Sequence, residues 1–375
     1  MKRVAIFIPG AIGHVGTEMY VPAHVNLIGR LSEKFDVTVY SHIKPDGDDT
    51  PFLCGNAKVK FIRAHYDDHI IKKIFLYIKD FQKDHRKQPY SLVQGFWGFP
   101  CGFAAVLVGK MFRVPSLVSL QGGEAAALPE ISYGDMLKQP LRFLTLWTCE
   151  NAEALTALTE FQRDAMRRFG LRRDGICVIP YGVDTKLFVH PDKRTPSPPV
   201  HFIHVANLNR VKDQISLLRA FKLISEEIDC CLRIVGPDHM KGSVQRYACE
   251  LKISDKVDFL GYVSHEEMPN QYAWSHVMLH TSLYEGQGVV IGEAAASGVV
   301  ISGTRVGLIS DFGEERAIGV DVGDYRTLAK RVIDLLEEPQ RFAALQKNAL
   351  EWCVTHDSEW TATQFEDIYH RLIRN

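Results

Sequence analysis

Two carboxylates eight residues apart, Glu285 and Glu293, flank the stretch Gly286-Gln287-Gly288-Val289-Val290. The run 277–280 before them reads as a strand, and 289–297 after them as a helix of small apolar residues. Glycines at that junction leave the helix start open, and its free N–H groups and dipole favour a phosphate. A carboxylate on either side can accept hydrogen bonds from sugar hydroxyls. The bland alternative makes Glu285 a helix cap and Glu293 a surface residue, although Ala294-Ala295-Ala296 beside Glu293 is an awkward setting for a solvated side chain. A second candidate is Asn207-Leu208-Asn209-Arg210-Val211-Lys212-Asp213, again between a strand and a helix, where Lys212 is placed to neutralise phosphate. Taken alone, a loop lysine is more often simply solvated.

The third candidate follows the first strand: Gly10-Ala11-Ile12-Gly13-His14-Val15-Gly16. Its glycines permit close backbone approach to an anion. The spacing is also a dinucleotide fingerprint, which wants an acidic residue at the end of the next strand. That strand, 37–40, ends in Ser41-His42, and Asp36 lies at its other end. The only Tyr-x-x-x-Lys pair, Tyr40 and Lys44, comes too early for a nucleotide-sugar epimerase. An NAD-dependent epimerase or dehydrogenase is therefore the rival reading. His65-Tyr66-Asp67-Asp68-His69 looks metal-like by composition but reads as a strand-to-helix loop.

These candidates need elements to position them. Short β-branched runs at 4–8, 37–40, 59–62, 92–94, 116–119, 154–158 and 177–179 alternate with helical patterns at 20–34, 70–83, 101–112 and 136–150. Asp184 to Val200 holds Pro191, Pro196, Pro198 and Pro199, a linker composition. Alternation restarts with strands at 202–205, 231–235, 257–260, 277–280 and 299–302, and helices at 214–226, 243–251, 266–274 and 289–297. From Tyr325 onward the chain reads as mostly helix. Strand–helix alternation predicts parallel sheets covered on both faces. The expectation is α/β: two Rossmann-like, doubly wound domains facing a central cleft, with ligands beyond the carboxyl ends of the strands. Expected boundaries are 1–185, a hinge at 186–200, a second domain at 201–355 and a C-terminal helix at 356–375 that crosses back to the first domain.

The 375 residues carry 44 Lys plus Arg and 45 Asp plus Glu, a formal net charge of −1. That argues against nucleic-acid binding through a global basic field. The balance is a cancellation: residues 1–190 hold 24 basic and 19 acidic side chains, residues 191–375 hold 20 and 26. The first half has two basic clusters. One lies on helix 70–87, with Ile71, Ile74, Phe75 and Ile78 on one face and Lys72, Lys73, Lys79, Lys83, Arg86 and Lys87 largely elsewhere; the other is Arg163, Arg167, Arg168, Arg172 and Arg173. Such clusters are usually solvated faces, but a basic amphipathic surface also suits anionic lipid. No run approaches the roughly 18 apolar residues of a membrane span. The eight cysteines show no C-x-x-C pair or zinc spacing and read as reduced thiols.

Three blocks carry a family resemblance. Glu285 to Glu293, followed by Ala294-Ala295-Ala296-Ser297-Gly298, resembles the Glu-x7-Glu signature of the retaining glycosyltransferases of family 4, which have the GT-B fold. Ile179-Pro180-Tyr181-Gly182-Val183-Asp184, ending at Phe188, is similar to that family's inter-domain segment. Leu208 to Phe221, with Lys212, resembles the block after the first strand of the second domain, and Ile234-Val235-Gly236 and Phe259-Leu260-Gly261 fall where the family has them.

The resemblance implies a metal-independent, retaining hexosyltransferase-type enzyme with no cofactor. Its partners would be a UDP- or GDP-sugar donor and a glycan or lipid-linked acceptor, in surface polysaccharide or glycolipid synthesis. It would be cytoplasmic, with an anionic membrane surface as a further partner. Glu293 would hold the ribose, Glu285 the transferred sugar, and Lys212 with the backbone N–H groups of Gly286 to Val290 the phosphates. Gly236 to Asp238 and Gly261 to Val263 would border the base, and Gly13 would approach the diphosphate. Two positions depart from the family. Its phosphate arginine is Asn207 here, with Arg210 off register. Its sugar-proximal histidine is Gln121, which cannot be a general base at neutral pH. These departures raise a second rival, a catalytically silent sugar-nucleotide binding protein.

Overall fold

The computed structural model describes residues 1–10, 12, 21–42, 53–63, 68–188 and 195–374. Gly13, Lys44 and His65 to Asp67 lie outside the described residues. The chain forms two units, Met1–Tyr181 with Ser358–Asn375, and Gly182–Asp357. It passes between them at Tyr181/Gly182 and again at Asp357/Ser358, so the stretch expected as a hinge at 186–200 falls inside the second unit.

In the first unit the strands are β1 (Arg3–Ile8), β2 (Asp36–Ser41), β3 (Leu53–Cys54), β4 (Ala57–Phe61), β5 (Leu92–Phe96), β6 (Ser116–Ser119), β7 (Ala154–Ala157) and β8 (Cys177–Val178). Their order is β3-β4-β2-β1-β5-β6-β7-β8, parallel except for the β3–β4 pair. The helices are α1 (Pro22–Lys34), α2 (Ile70–Lys87), α3 (Phe103–Phe112), α4 (Gln139–Asn151) and α5 (Glu160–Arg168). Val4 to Ile8 are fully buried, as a central parallel strand covered on both faces requires. Phe7, Tyr40 and Val93 pack on one face with Tyr77 and Phe81 of α2 and Ala104 and Val108 of α3. The C-terminal helix Ser358–Arg374 joins this unit through Lys34–Glu366 at 2.6 Å, an Arg30–Glu359 pair and a Phe35–Tyr369 ring contact.

The amphipathic face read on α2 divides. Ile74 and Ile78 are half-buried against the core, whereas Ile71 and Phe75 are 68% and 60% exposed. The arginine cluster is partly consumed by its own unit. Arg163 pairs with Glu160 and Asp164, and Arg173 donates to the carbonyls of Cys149, Ala152 and Glu153 behind α4.

The second unit has a parallel six-stranded sheet in the order β11-β10-β9-β12-β13-β14. Its strands are β9 (Val200–Val205), β10 (Cys230–Val235), β11 (Val257–Gly261), β12 (Val277–His280), β13 (Val300–Thr304) and β14 (Ala317–Val320). The helices are α6 (Gln214–Glu227), α7 (Ser243–Glu250), α8 (Met268–Trp274), α9 (Val289–Ala296), α10 (Gly307–Arg316), α11 (Tyr325–Leu336) and α12 (Pro339–Thr355). Successive residues of β9 serve opposite cores, since side chains alternate across a strand. Phe202 packs with α6 and α11, and Ile203 and Val205 with α8, α9 and α10. The sheet is thus covered on both faces. β14 and the kinked α10 have no counterpart in the pattern read from sequence.

Candidate functional site

In a parallel sheet every strand ends at the same edge, so the loops after β9, β10, β11 and β12 are neighbours in the second unit. Backbone hydrogen bonds join them: Gly236 N to Gly261 O at 2.7 Å, Leu208 N to Pro237 O at 2.9 Å, and Leu283 N to Val211 O at 2.8 Å. Asn207, Arg210, Lys212, Gly236, Asp238, Gly261 and Glu285 are gathered there from positions nearly 80 residues apart in sequence.

Glu285 is 8% exposed in the loop after β12. Its Oε1 receives three donors: Lys212 Nζ at 2.5 Å, Ser282 Oγ at 2.7 Å and His280 Nε2 at 3.0 Å. Burial alone would raise this carboxyl; the Lys212 charge and the hydrogen bonds from His280 and Lys212 outweigh it and hold the group well below the usual carboxylate range. Lys212 closes the short helical turn Arg210–Lys212, capped by the Asn209 side chain. Asp213 then caps α6 by accepting from Ser216 N. The lysine expected to stand ready for phosphate is therefore already paired with Glu285.

Glu293 lies in α9, buried at 6% exposure, so it is not the surface residue of the bland alternative. Tyr272 Oη donates to Oε2 at 2.8 Å and His265 Nε2 lies 3.4 Å from Oε1. Burial opposes a charge on His265, but Glu293 overcomes it and raises the imidazole above its ordinary value. Phe188 packs edge-on against both rings.

Between the two carboxylates, Gly286 and Gln287 are buried, and Gly288, at φ +80°, starts α9 with no side-chain cap. The N–H groups of Val289 and Val290 thus lie in an uncapped first turn. The loop is pressed from behind by α10: Leu308 N donates to Gln287 O at 2.8 Å, and Gly307, at φ +52°, is so close that a Cβ there would sit 2.5 Å from that oxygen.

Asn207 and Arg210 are exposed, and the Asn207 carbonyl accepts from Gln214. Asp238 organises its own loop by accepting from Met240 N and Gly242 N.

Gln121 belongs to the first unit, just after β6. Its Oε1 accepts from His24 Nε2 at 2.8 Å and Tyr181 Oη at 2.9 Å, while its Nε2 donates to Ser119 O at 3.2 Å. Its other amide N–H has no partner among the described residues. Burial pushes His24 down to about 4, so its ring is neutral. Glu124, fully buried, accepts from the N–H groups of Gln121 and Gly122. Burial, only partly countered by those bonds, raises it to about 7.

None of His280, Ser282, His204, Tyr272, His265 or His24 belongs to a motif that marks it as functional in the sequence. The available signal was polarity out of place: His204 stands between Ile203 and Val205, and His280 ends an otherwise apolar strand.

Two α/β units of this kind define the GT-B architecture. The structure superposes on sucrose-phosphate synthase from Thermosynechococcus elongatus with a TM-score of 0.84 at 19% identity over all of both chains. It superposes on HepE of Anabaena, solved with UDP and glucose, with a TM-score of 0.77 at 16% identity over 99% of this chain and 100% of that one. The sequence model described as glycosyl transferases group 1 matches residues 187–352, and that described as glycosyl transferase 4-like domain matches 33–182. The chain belongs to the family 4 glycosyltransferases of the GT-B fold. Among relatives, N-acetyl-alpha-D-glucosaminyl L-malate synthase of Bacillus anthracis is 32% identical over 176 residues, 46% of each chain. The match thus spans about half the length of that relative.

Proposed function

We propose that the protein is a retaining, metal-independent glycosyltransferase that binds a nucleotide-diphosphate sugar in its second unit and a glycan or lipid-linked acceptor through its first. The observation that carries the reading is the pair of buried carboxylates on either side of the uncapped start of α9, one of them paired with Lys212. Glu293, held on both oxygens, is oriented to accept from the ribose diol. Glu285 accepts from the transferred sugar through Oε2, which has no partner among the described residues. The diphosphate meets the first-turn N–H groups of α9 and draws Lys212 toward it, so departing charge is stabilised by fixed donors. The leaving phosphate takes the acceptor's proton on the same face, which is why Gln121 serves as a hydrogen-bond donor and no base is required of it.

A thermal-shift panel of UDP-, GDP- and ADP-sugars tests this, beginning with UDP-glucose because of the ligands in the HepE complex. A ligand bound only by the folded state raises the midpoint with its occupancy. Glu293→Ala is expected to weaken nucleotide binding by roughly tenfold or more, and Lys212→Ala to lower donor turnover by about 10²-fold. Unchanged nucleotide affinity in the first variant, or unchanged turnover in the second, would overturn the assignment.

The outer face of α2 supports contact with an anionic membrane. Ile71, Phe75, Lys79, Lys83 and Lys87 fall four apart along one inclined ridge of the helix, and all five are exposed. Two apolar side chains leading a lysine ridge is the pattern of an interfacial helix. Such contact would place the enzyme at the cytoplasmic leaflet, beside a lipid-linked acceptor.

A further inference from the structure

His204 in β9 and His280 at the end of β12 stand where a buried parallel strand ordinarily carries aliphatic side chains. Their rings lie 6.1 Å apart. His204 is satisfied: Nδ1 donates to Leu279 O at 2.9 Å, and Nε2 accepts from Gln214 Nε2 at 3.2 Å. Burial, reinforced by His280, pushes it down to about 3, so it is a neutral ring locked in one tautomer.

His280 is different. Its Nε2 is 3.0 Å from both Glu285 Oε1 and Ser282 Oγ, while Ser282 spends its own proton on Glu285 at 2.7 Å. A carboxylate oxygen only accepts, so Nε2 carries a proton. Nδ1 is buried with no partner among the described residues. An unsatisfied buried nitrogen opposes folding, and a leucine would fill the space without it. What the ring does in return is donate to Glu285.

Three donors on one carboxylate oxygen is more than the free protein needs. The excess matters if Lys212 is drawn to a diphosphate, because the carboxylate would otherwise follow the lysine. We propose that His280 is a positioning residue: with Ser282 it holds Glu285 Oε1 in place when Lys212 turns to the donor, keeping Oε2 toward the transferred sugar. This rests on the reading of Glu285 given above.

The test compares wild type, His280→Leu, His280→Gln and Glu285→Ala. For each, kcat and KM are measured with whichever sugar nucleotide of the panel the wild type turns over, together with the dissociation constant of the corresponding nucleoside diphosphate and the melting temperature. His280→Leu is expected to lower kcat roughly 10–100-fold while the diphosphate binds within about twofold of wild type, because that ligand has no sugar to position. Gln places an amide N–H near the position of Nε2, so His280→Gln is expected to recover most of kcat. A His280→Leu enzyme with wild-type kcat, or a Gln variant no better than Leu, overturns the proposal while leaving Glu285 in its role. If Glu285→Ala itself turns over normally, or the wild type turns over no donor, the underlying reading fails and this proposal with it.

Discussion

Glu124 and Glu285 are both buried carboxylates, and their surroundings drive them in opposite directions. Glu285 has a lysine at 2.5 Å and stays charged. Glu124 has only neutral N–H partners among the described residues, and burial, with Asp135 adding repulsion, raises it to about 7. The folded protein therefore holds a proton on Glu124 that the unfolded chain, near 4.5, has already lost. The corresponding stability is fully present below about pH 4.5 and is lost as pH rises through about 7. His24, His42 and His204, lowered by burial and neutral when folded, contribute with the opposite sign below pH 6.5, so a wild-type curve alone mixes the Glu124 contribution with theirs. The difference between wild type and Glu124→Gln isolates the first. Urea denaturation should show wild type losing on the order of 2–3 kcal/mol relative to the variant between pH 4.5 and 7.5, and a flat difference would refute a neutral Glu124. Glu285 and Glu293 were legible in sequence because a carboxylate beside glycines, or among alanines, is out of place. The Lys212–Glu285 pair was not, because the partners are 73 residues apart and meet only where β9 and β12 end side by side.

At the scale of elements, the position of Glu285 depends on α10 as much as on its own loop. Gly307 lets the start of α10 lie against Gln287 and Glu285; a Cβ there would sit 2.5 Å from the Gln287 carbonyl oxygen and 2.8 Å from Glu285 Cβ, at a φ of +52° that disfavours any side chain. Gly307→Ala is expected to destabilise the protein by about 2 kcal/mol or more, and to lower turnover beyond what the lost folded fraction explains. Denaturation and donor turnover measured on the same preparation separate the two effects. α10 escaped the sequence reading because its apolar period is broken at Gly313, where the backbone kinks, and β14 because four residues directly after Glu314-Glu315-Arg316 give little alternation to read.

At the scale of the whole molecule, the net charge of −1 hides a basic first half and an acidic second half. The acidic half is the one proposed to bind a diphosphate, so binding there relies on local donors, α9 and Lys212, and not on a domain-wide field. The basic half carries the exposed α2 ridge. Co-sedimentation with vesicles containing about 30% anionic lipid is expected to retain the protein, with little retention on zwitterionic vesicles and release by salt, because an electrostatic contact is screened within about 10 Å at 0.1 M ionic strength. Lys79→Glu with Lys83→Glu should abolish retention without changing the melting temperature by more than a degree or two, since both side chains are exposed. Equal binding to both vesicle types would remove the membrane reading.

The sequence by itself determined the alternation of strands and helices, hence two parallel α/β sheets, because buried parallel strands must be apolar runs and their crossovers must be amphipathic. It also determined the loops that could carry chemistry, because glycine, lysine and carboxylate at strand ends are local signals. Tertiary structure decided the rest. It set the division of the chain at Tyr181/Gly182 and Asp357/Ser358, which follows from packing and not from the proline-rich composition further on. It also set the partners of each polar group. Lys212 reaches Glu285, His280 stands behind that carboxylate, and Tyr272 and His265 flank Glu293, because hydrogen bonds are made across space between residues whose spacing along the chain carries no trace of the contact.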